Sequence, residues 1–278
     1  MNNCVLIAGY GFVGRGAYAM LSRRYDVAVH DPYAADLPNP VALDHPCSLA
    51  VVCVPSPTCP EDGSCDTSIV EDVVRGLNAE VVLIKSTIPP GTTERLAAET
   101  GKRLVFSPEY MGESKYDNTF QYMHTAMERV PFVVLGGPPE DRDYVHDKLL
   151  PIVGPEKRWF LMTSREAELV KYMENAYFAL KVGFVNEAYD LAQAFGCHWE
   201  TVRQAWTADP RVEPMHTAVF LDDRGFRGKC FPKDVNALVA AARKMNFTPK
   251  ILSALLSAND GWTAPEPVEE RELETVVS

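Results

Sequence analysis

The chain has 278 residues, 46% apolar and 23% charged, which allows a sizeable buried core and argues against a disordered or fibrous protein. Its 27 Lys and Arg against 38 Asp and Glu leave a formal charge of −11, which disfavours nucleic acid and anionic membranes as partners; an anionic ligand would need a local basic pocket. No apolar run approaches the roughly 20 residues of a membrane span, and MNNCVLIAGYGF lacks the basic start and long apolar stretch of a secretion signal, so the expected location is cytoplasmic.

CVLIAG at 4–9 reads as a buried strand, and GFVGRGAYAMLSRR as the helix after it. DVAVHD (26–31) and LAVVCVP (49–55) are the next strands, followed by a loop and a helical stretch near 68–77. EVVLIKST (80–87), RLVFSPE (103–109), PFVVLGG (131–137) and RWFLMTS (158–164) continue the series. Strands apolar throughout and separated by helical segments predict a parallel sheet covered on both faces. The expected class is α/β, a Rossmann-type doubly wound sheet over residues 1–164.

From 165 to 195 there is no proline and only one glycine, Gly183, while Leu169, Met173, Ala176, Leu180 and Phe184 recur at helical spacing. A helix of that length, about 45 Å, separates domains or packs on a partner subunit. More helix is expected near 198–207, 234–245 and 249–259, so that 165–262 forms a central helix with a small all-helical domain. The segment 263–278 is acidic, carries two prolines, and is expected to be a mobile tail. The seven cysteines (4, 47, 53, 59, 65, 197 and 230) are odd in number and irregularly spaced, which argues against a disulfide framework. Cys59 and Cys65 flank PEDGS without a second ligand pair, so no metal site is expected.

Gly9, Gly11, Phe12, Val13 and Gly14 fall in G-x-G-x-x-G, which follows a strand and opens a helix. The first glycine permits the tight turn, the second lets a pyrophosphate approach the backbone, and the third lets helix and strand pack closely. Asp31 ends the next strand about 20 residues on, where a ribose-binding acid belongs; a carboxylate there repels a 2′-phosphate and favours NAD over NADP. Pro55, Ser86 and Thr87 lie at later strand ends, the usual ligand edge of such a sheet, and are expected to add cofactor contacts.

Other polar islands share that edge. Ser107-Pro108-Glu109 ends one strand, and Lys171 and Asn175 lie at i and i+4 on one face of the long helix. The stretch GFRGKCFPKD (225–234) places Cys230 among Arg227, Lys229 and Lys233, with Asp234 four residues on. Cations beside a thiol favour its thiolate, so the loop reads as a prepared nucleophile.

These ordered motifs, GYGFVG, VPSPT with Asp66-Thr67-Ser68, KSTIPPGT, SPE, ELVKYMENAYFALKVGFVNE and GFRGKCFPKD, resemble the UDP-glucose/GDP-mannose dehydrogenase family over nearly the whole chain. The resemblance implies a four-electron, NAD-dependent oxidation of a sugar's primary alcohol to a carboxylate, with an aldehyde captured covalently. It implies Cys230 as nucleophile, Lys171 and Asn175 as oxyanion donors, Glu109 as the base for thioester hydrolysis, and Asp234 and Thr87 as holders of a water. Glu109, Lys171, Asn175, Gly225, Phe226, Arg227 and Gly228 are the implied substrate contacts, and the long helix (166–195) is the implied homodimer interface.

Two differences from the family stand out. Family members usually carry GFGG where this chain has GFRG, and Arg227 is a forked donor suited to a phosphate or carboxylate. The residues after SPE, YMGESKYDN, also differ. The family generally continues into a second Rossmann-like domain that holds the nucleotide, so a smaller anionic substrate, such as a sugar phosphate, or a completing partner chain is expected. The competing readings are a two-electron dehydrogenase of hydroxyacid type and a non-catalytic NAD-binding protein.

Overall fold

The computed structural model describes residues 3–112 and 126–264. Seven strands form one sheet in the order β2-β1-β3-β4-β5-β6-β7. They are β1 (Cys4–Ala8), β2 (Asp26–His30), β3 (Cys47–Val52), β4 (Ala79–Ile84), β5 (Leu104–Phe106), β6 (Phe132–Gly136) and β7 (Arg158–Met162). The crossover helices are α1 (Phe12–Leu21), α2 (Ser68–Gly76), α3 (Thr92–Thr100) and α4 (Pro139–Val153). Side chains alternate along each strand. Leu6, Ala50, Val82 and Leu104 pack with Val70 and Val74 of α2 and Leu96 of α3, whereas Val5, Leu49, Val81 and Val105 pack with Ala17 and Met20 of α1 and Val145 and Leu149 of α4. Both faces are covered, which is why the central strands read as unbroken apolar runs.

The sheet departs from the expected all-parallel arrangement at one place. β6 runs antiparallel to β5, through the pair Phe106↔Gly136, while β7 is parallel to β6 across α4. A parallel partner needs a crossover that returns to the strand's starting edge. The chain instead enters β6 from beyond the end of β5, through a 3-10 turn at Met127–Arg129. β6 overlaps β5 only at its own last residues, and its first, Phe132, meets Tyr110 edge-on with ring centroids 4.7 Å apart. The antiparallel strand thereby builds a wall past the ligand edge of the sheet.

Helix α5 (Ser164–Ala194) begins with a capping box, in which Thr163 and Glu166 satisfy each other's backbone N–H groups. Ala167 is buried against the sheet, and the helix then passes beyond it. There α5 packs on α7 (Phe231–Lys244) and α8 (Lys250–Thr263) around Tyr172, Ala176, Phe226, Val235 and Leu255. α6 (Trp199–Thr207) covers its far end through Trp199. Among the described residues no helix is long and apolar enough to cross a membrane. Most of the acidic tail lies outside the described residues.

Candidate active site

The glycine motif forms a phosphate cradle. Gly9 has φ +92°, and a Cβ there would lie 2.8 Å from the Cys53 carbonyl carbon; a Cβ on Gly14 would lie 1.9 Å from Gly9 O. Those two glycines are required by the chain itself. A Cβ on Gly11, the N-cap of α1, would meet open space, so its small size is spent on the side where a ligand approaches. Asp31 accepts hydrogen bonds from the backbone N–H of Tyr10 (2.7 Å) and Tyr33 (2.9 Å), which fixes its carboxylate beside the cradle with lone pairs left for a ribose diol. Phe12 is half-exposed at the start of α1, and Val13 packs on the core beneath it. The residues present fit NAD. Ser86 differs from expectation in detail: it is buried, and its hydroxyl donates to Val54 O at 2.6 Å, tying β4 to β3. Pro55 is exposed, and Thr87 is partly so.

A second group gathers where β4 and β5 end. Glu109 and Lys85 are both 8% exposed and lie 3.7 Å apart. Glu109 Oε1 accepts from the backbone N–H of Tyr110 and Met111, each at 2.8 Å. Lys171 reaches the same region from α5, with its ammonium 5.3 Å from the Tyr110 ring centroid and 3.3 Å from Glu174 Oε2. Burial pushes the Glu174 carboxyl up, against the pull of Lys171. Burial also pushes the neighbouring Cys53 thiol up to about 12, so that cysteine is an inert core group.

The third group is on α7. Cys230 is its N-cap and is exposed. Asp234, one turn in, is 1% exposed and accepts from Asn175 Nδ2 and Lys233 Nζ, both at 2.5 Å. Asn175, one turn along α5 from Lys171, thus meets the first turn of the cysteine-bearing helix. Against Asp234 and Tyr172 sits Cys65, whose thiol lies 3.7 Å from Thr87 O and is pushed up by burial. Cys65 pairs across a tight hairpin with Thr58, while Cys59 N–H donates to Ser64 O. Adjacent strand residues face opposite ways, so Cys59 and Cys65 diverge instead of sharing a metal or a disulfide.

The cations flanking Cys230 do less than their sequence suggests. Lys233 is bound to Asp234, and Arg227 pairs with Asp223 at 3.3 Å. Cys230 stands at the positive end of α7, with Pro232 in the first turn. The loop before it is held from two helices. Asn259 of α8 accepts from Phe226 N–H (2.7 Å) and donates to Phe226 O (3.1 Å). Asn186 of α5 accepts from Arg224 Nε and Gly225 N–H. Gly225 and Gly228 have φ +71° and +82°, whereas Arg227 stays outside the left-handed region. Arginine therefore stands here without backbone strain, and its side chain is exposed three residues before Cys230.

Sequence reading assigned no role to Lys85, Tyr110, Tyr172 or Glu174. Lys85 opens KSTIPPGT, and its position directly after an apolar strand was the available signal. Glu174 lies between Lys171 and Asn175, one turn after Lys171.

Comparisons with known proteins agree with this arrangement. The NAD binding domain of the UDP-glucose/GDP-mannose dehydrogenase family matches residues 42–138, and the central domain of that family matches 165–261. A UDP-glucose 6-dehydrogenase of Pseudomonas aeruginosa is 33% identical over 219 residues, 72% of this chain and 46% of that protein. One from Rhizobium meliloti is 28% identical over 242 residues, 82% of this chain and 53% of its own length. The chain thus spans about half the length of these curated relatives. The structure of a UDP-glucose dehydrogenase from Pyrobaculum islandicum superposes with a TM-score of 0.77 at 25% identity, covering 94% of this chain and 68% of that one. With its NAD-binding sheet, its central helix and the cysteine helix that meets it, the chain belongs to the UDP-glucose/GDP-mannose dehydrogenase family.

Proposed function

We propose that the protein oxidises the primary alcohol of a sugar nucleotide, or of a smaller sugar phosphate, to a carboxylate in two NAD-dependent steps, with Cys230 carrying the intermediate. The 2.5 Å bond from Asn175 to Asp234 carries this reading, because it joins the Lys171 face of α5 to the helix that Cys230 opens. NAD, held by the Gly9–Gly14 turn and Asp31, supplies the acceptor for both hydrides.

The residues of the chain account for the remaining chemistry. Loss of a proton and a hydride from the alcohol leaves an aldehyde. Cys230 Sγ bonds to its carbon, and the carbonyl π pair moves to oxygen, where Lys171 and the second N–H of Asn175 stabilise the charge until a proton arrives. Loss of a further proton and hydride converts this thiohemiacetal into a thioester. Asp234 and Thr87 hold the water that attacks it. Glu109 takes the water's proton, the C–S bond breaks, and the thiol is restored. Arg227 is the proposed ligand for a substrate phosphate, since it is exposed one helical-loop step from the nucleophile and adds positive charge to an acidic protein.

The test is NADH formed per substrate consumed, with UDP-glucose and with hexose phosphates. Two NADH per molecule is the expected result. Cys230→Ala should keep NAD affinity and make no acid; normal acid production by that variant overturns the assignment. One NADH per molecule would favour a two-electron, hydroxyacid-type dehydrogenase, and NAD binding without turnover a non-catalytic protein.

A further inference from the structure

We propose that Lys85 is a positioning residue: it keeps the buried Glu109 ionised and aimed, and so sets the acid limit of thioester hydrolysis. The kinetic part of this inference rests on the function proposed above; the electrostatic part does not.

Glu109 has the surroundings of a group that ought to lose its charge. It is 8% exposed, and its side is lined by Pro108, Met127, Val130, Phe132 and Val134 around a cavity of about 40 Å³. Such a space holds only a few water molecules. A carboxyl there becomes neutral unless something compensates it, and a neutral carboxyl is no base for water. One oxygen is compensated locally, by the N–H groups of Tyr110 and Met111. The other, Oε2, accepts no hydrogen bond among the described residues. What faces it is Lys85 Nζ, 3.7 Å away.

Among the described residues no other element supplies that charge. Directly after β3 comes Cys53, a partly buried thiol; Tyr110, beside Glu109, contributes a ring and a buried phenol. α5 contributes Glu174, whose like charge opposes ionisation of Glu109, and Lys171, which is engaged with Glu174. Among the described residues Lys85 is therefore the cation that faces Glu109 Oε2. Its own position is fixed at both ends. Its backbone N–H donates to Val52 O at 2.9 Å, and its ammonium donates to Ser107 O at 3.4 Å. Because Lys85 directly precedes Ser86 and Thr87, the strand end that lies against the cofactor edge also sets the charge of the base.

The experiment is an infrared titration of the Glu109 carboxylate. The band is identified as the difference between a protein and its Glu109→Gln partner, in the wild-type, Lys85→Met and Lys85→Arg backgrounds. Lys85→Met should raise the titration midpoint by at least one pH unit, and Lys85→Arg should restore it. A folded Lys85→Met protein with the wild-type midpoint overturns the proposal. If Lys85→Met does not melt cooperatively, Lys85→Gln, which keeps a donor toward Ser107 O, is read by the same criterion. In turnover, Lys85→Met should shift the acid limb of the rate profile upward and let an acylated Cys230 accumulate, seen as added mass on the intact protein, with NAD affinity unchanged. A wild-type enzyme that makes no acid would sink the four-electron reading, while the titration would still decide the role of Lys85.

Discussion

Asn259 holds the backbone in front of Cys230 with both ends of its amide, and it is 6% exposed. Replacing it with alanine leaves the N–H and C=O of buried Phe226 without partners, at a cost of about 2–4 kcal/mol. Thermal unfolding of Asn259→Ala should show that loss; a melting point equal to wild type would mean the loop is held otherwise. Gly225→Ala should destabilise the same loop, because φ is +71° and the new Cβ would sit 2.6 Å from Asn259 Oδ1. At this scale the sequence was informative about residue types and uninformative about partners. GFRGKCFPKD marked a cysteine at a special place, and the fold confirms that the loop needs glycine at 225 and 228. The charges around Cys230 read differently in three dimensions, since Arg227 and Lys233 each face a carboxylate. Asn186 and Asn259, which hold the loop, lie 39 and 34 residues from Gly225, and no local pattern connects them.

The helices meet at a buried carboxylate. Glu168 of α5 is fully buried and accepts from Thr93 N–H (2.8 Å), Thr93 Oγ1 (2.6 Å) and Gly91 N–H at the start of α3. These donors favour the anion, but burial outweighs them and pushes the carboxyl up to about 7. The folded state then keeps a proton that the unfolded chain gives up near the ordinary carboxylate range. Stability therefore falls as pH rises from about 4.5 to about 7, by up to about 3 kcal/mol. Wild type should lose melting temperature between pH 5 and pH 8 by more than Glu168→Gln, whose amide does not ionise; parallel melting curves across that range would contradict the assignment. Element type and order were largely readable, because buried parallel strands and a capped helix leave strong local patterns. Thr163 and Glu166 even spell the cap of α5. The direction of β6 was not readable, since its apolar run is the same whichever way it enters the sheet, and direction is set by the route of the preceding chain.

At the scale of the whole molecule, α5 has two occupied faces and one that is not covered among the described residues. Asn175 points toward the cysteine helix and Lys171 toward Tyr110, while Leu169, Met173, Tyr177, Phe184 and Leu191 are all exposed. Met173 lies two residues from both Lys171 and Asn175, about 200° around the helix, so the exposed stripe is nearly opposite the face that carries them. It runs about 33 Å, too long and too regular for scattered surface apolar residues. A second copy of the same helix, packed along the stripe, would cover it on both chains at once, as a two-fold interface requires. Sedimentation at micromolar concentration should therefore give a dimer, and Met173→Glu combined with Tyr177→Glu should give a monomer; a monomeric wild type would refute the interface. Because one rigid helix carries both faces, the monomeric variant should also lose turnover while its NAD affinity stays unchanged, since the cofactor cradle lies on β1 and α1 and does not depend on α5. Equal turnover by monomer and dimer would show that the pairing of Asn175 with Asp234 is fixed by α7 and α8 alone.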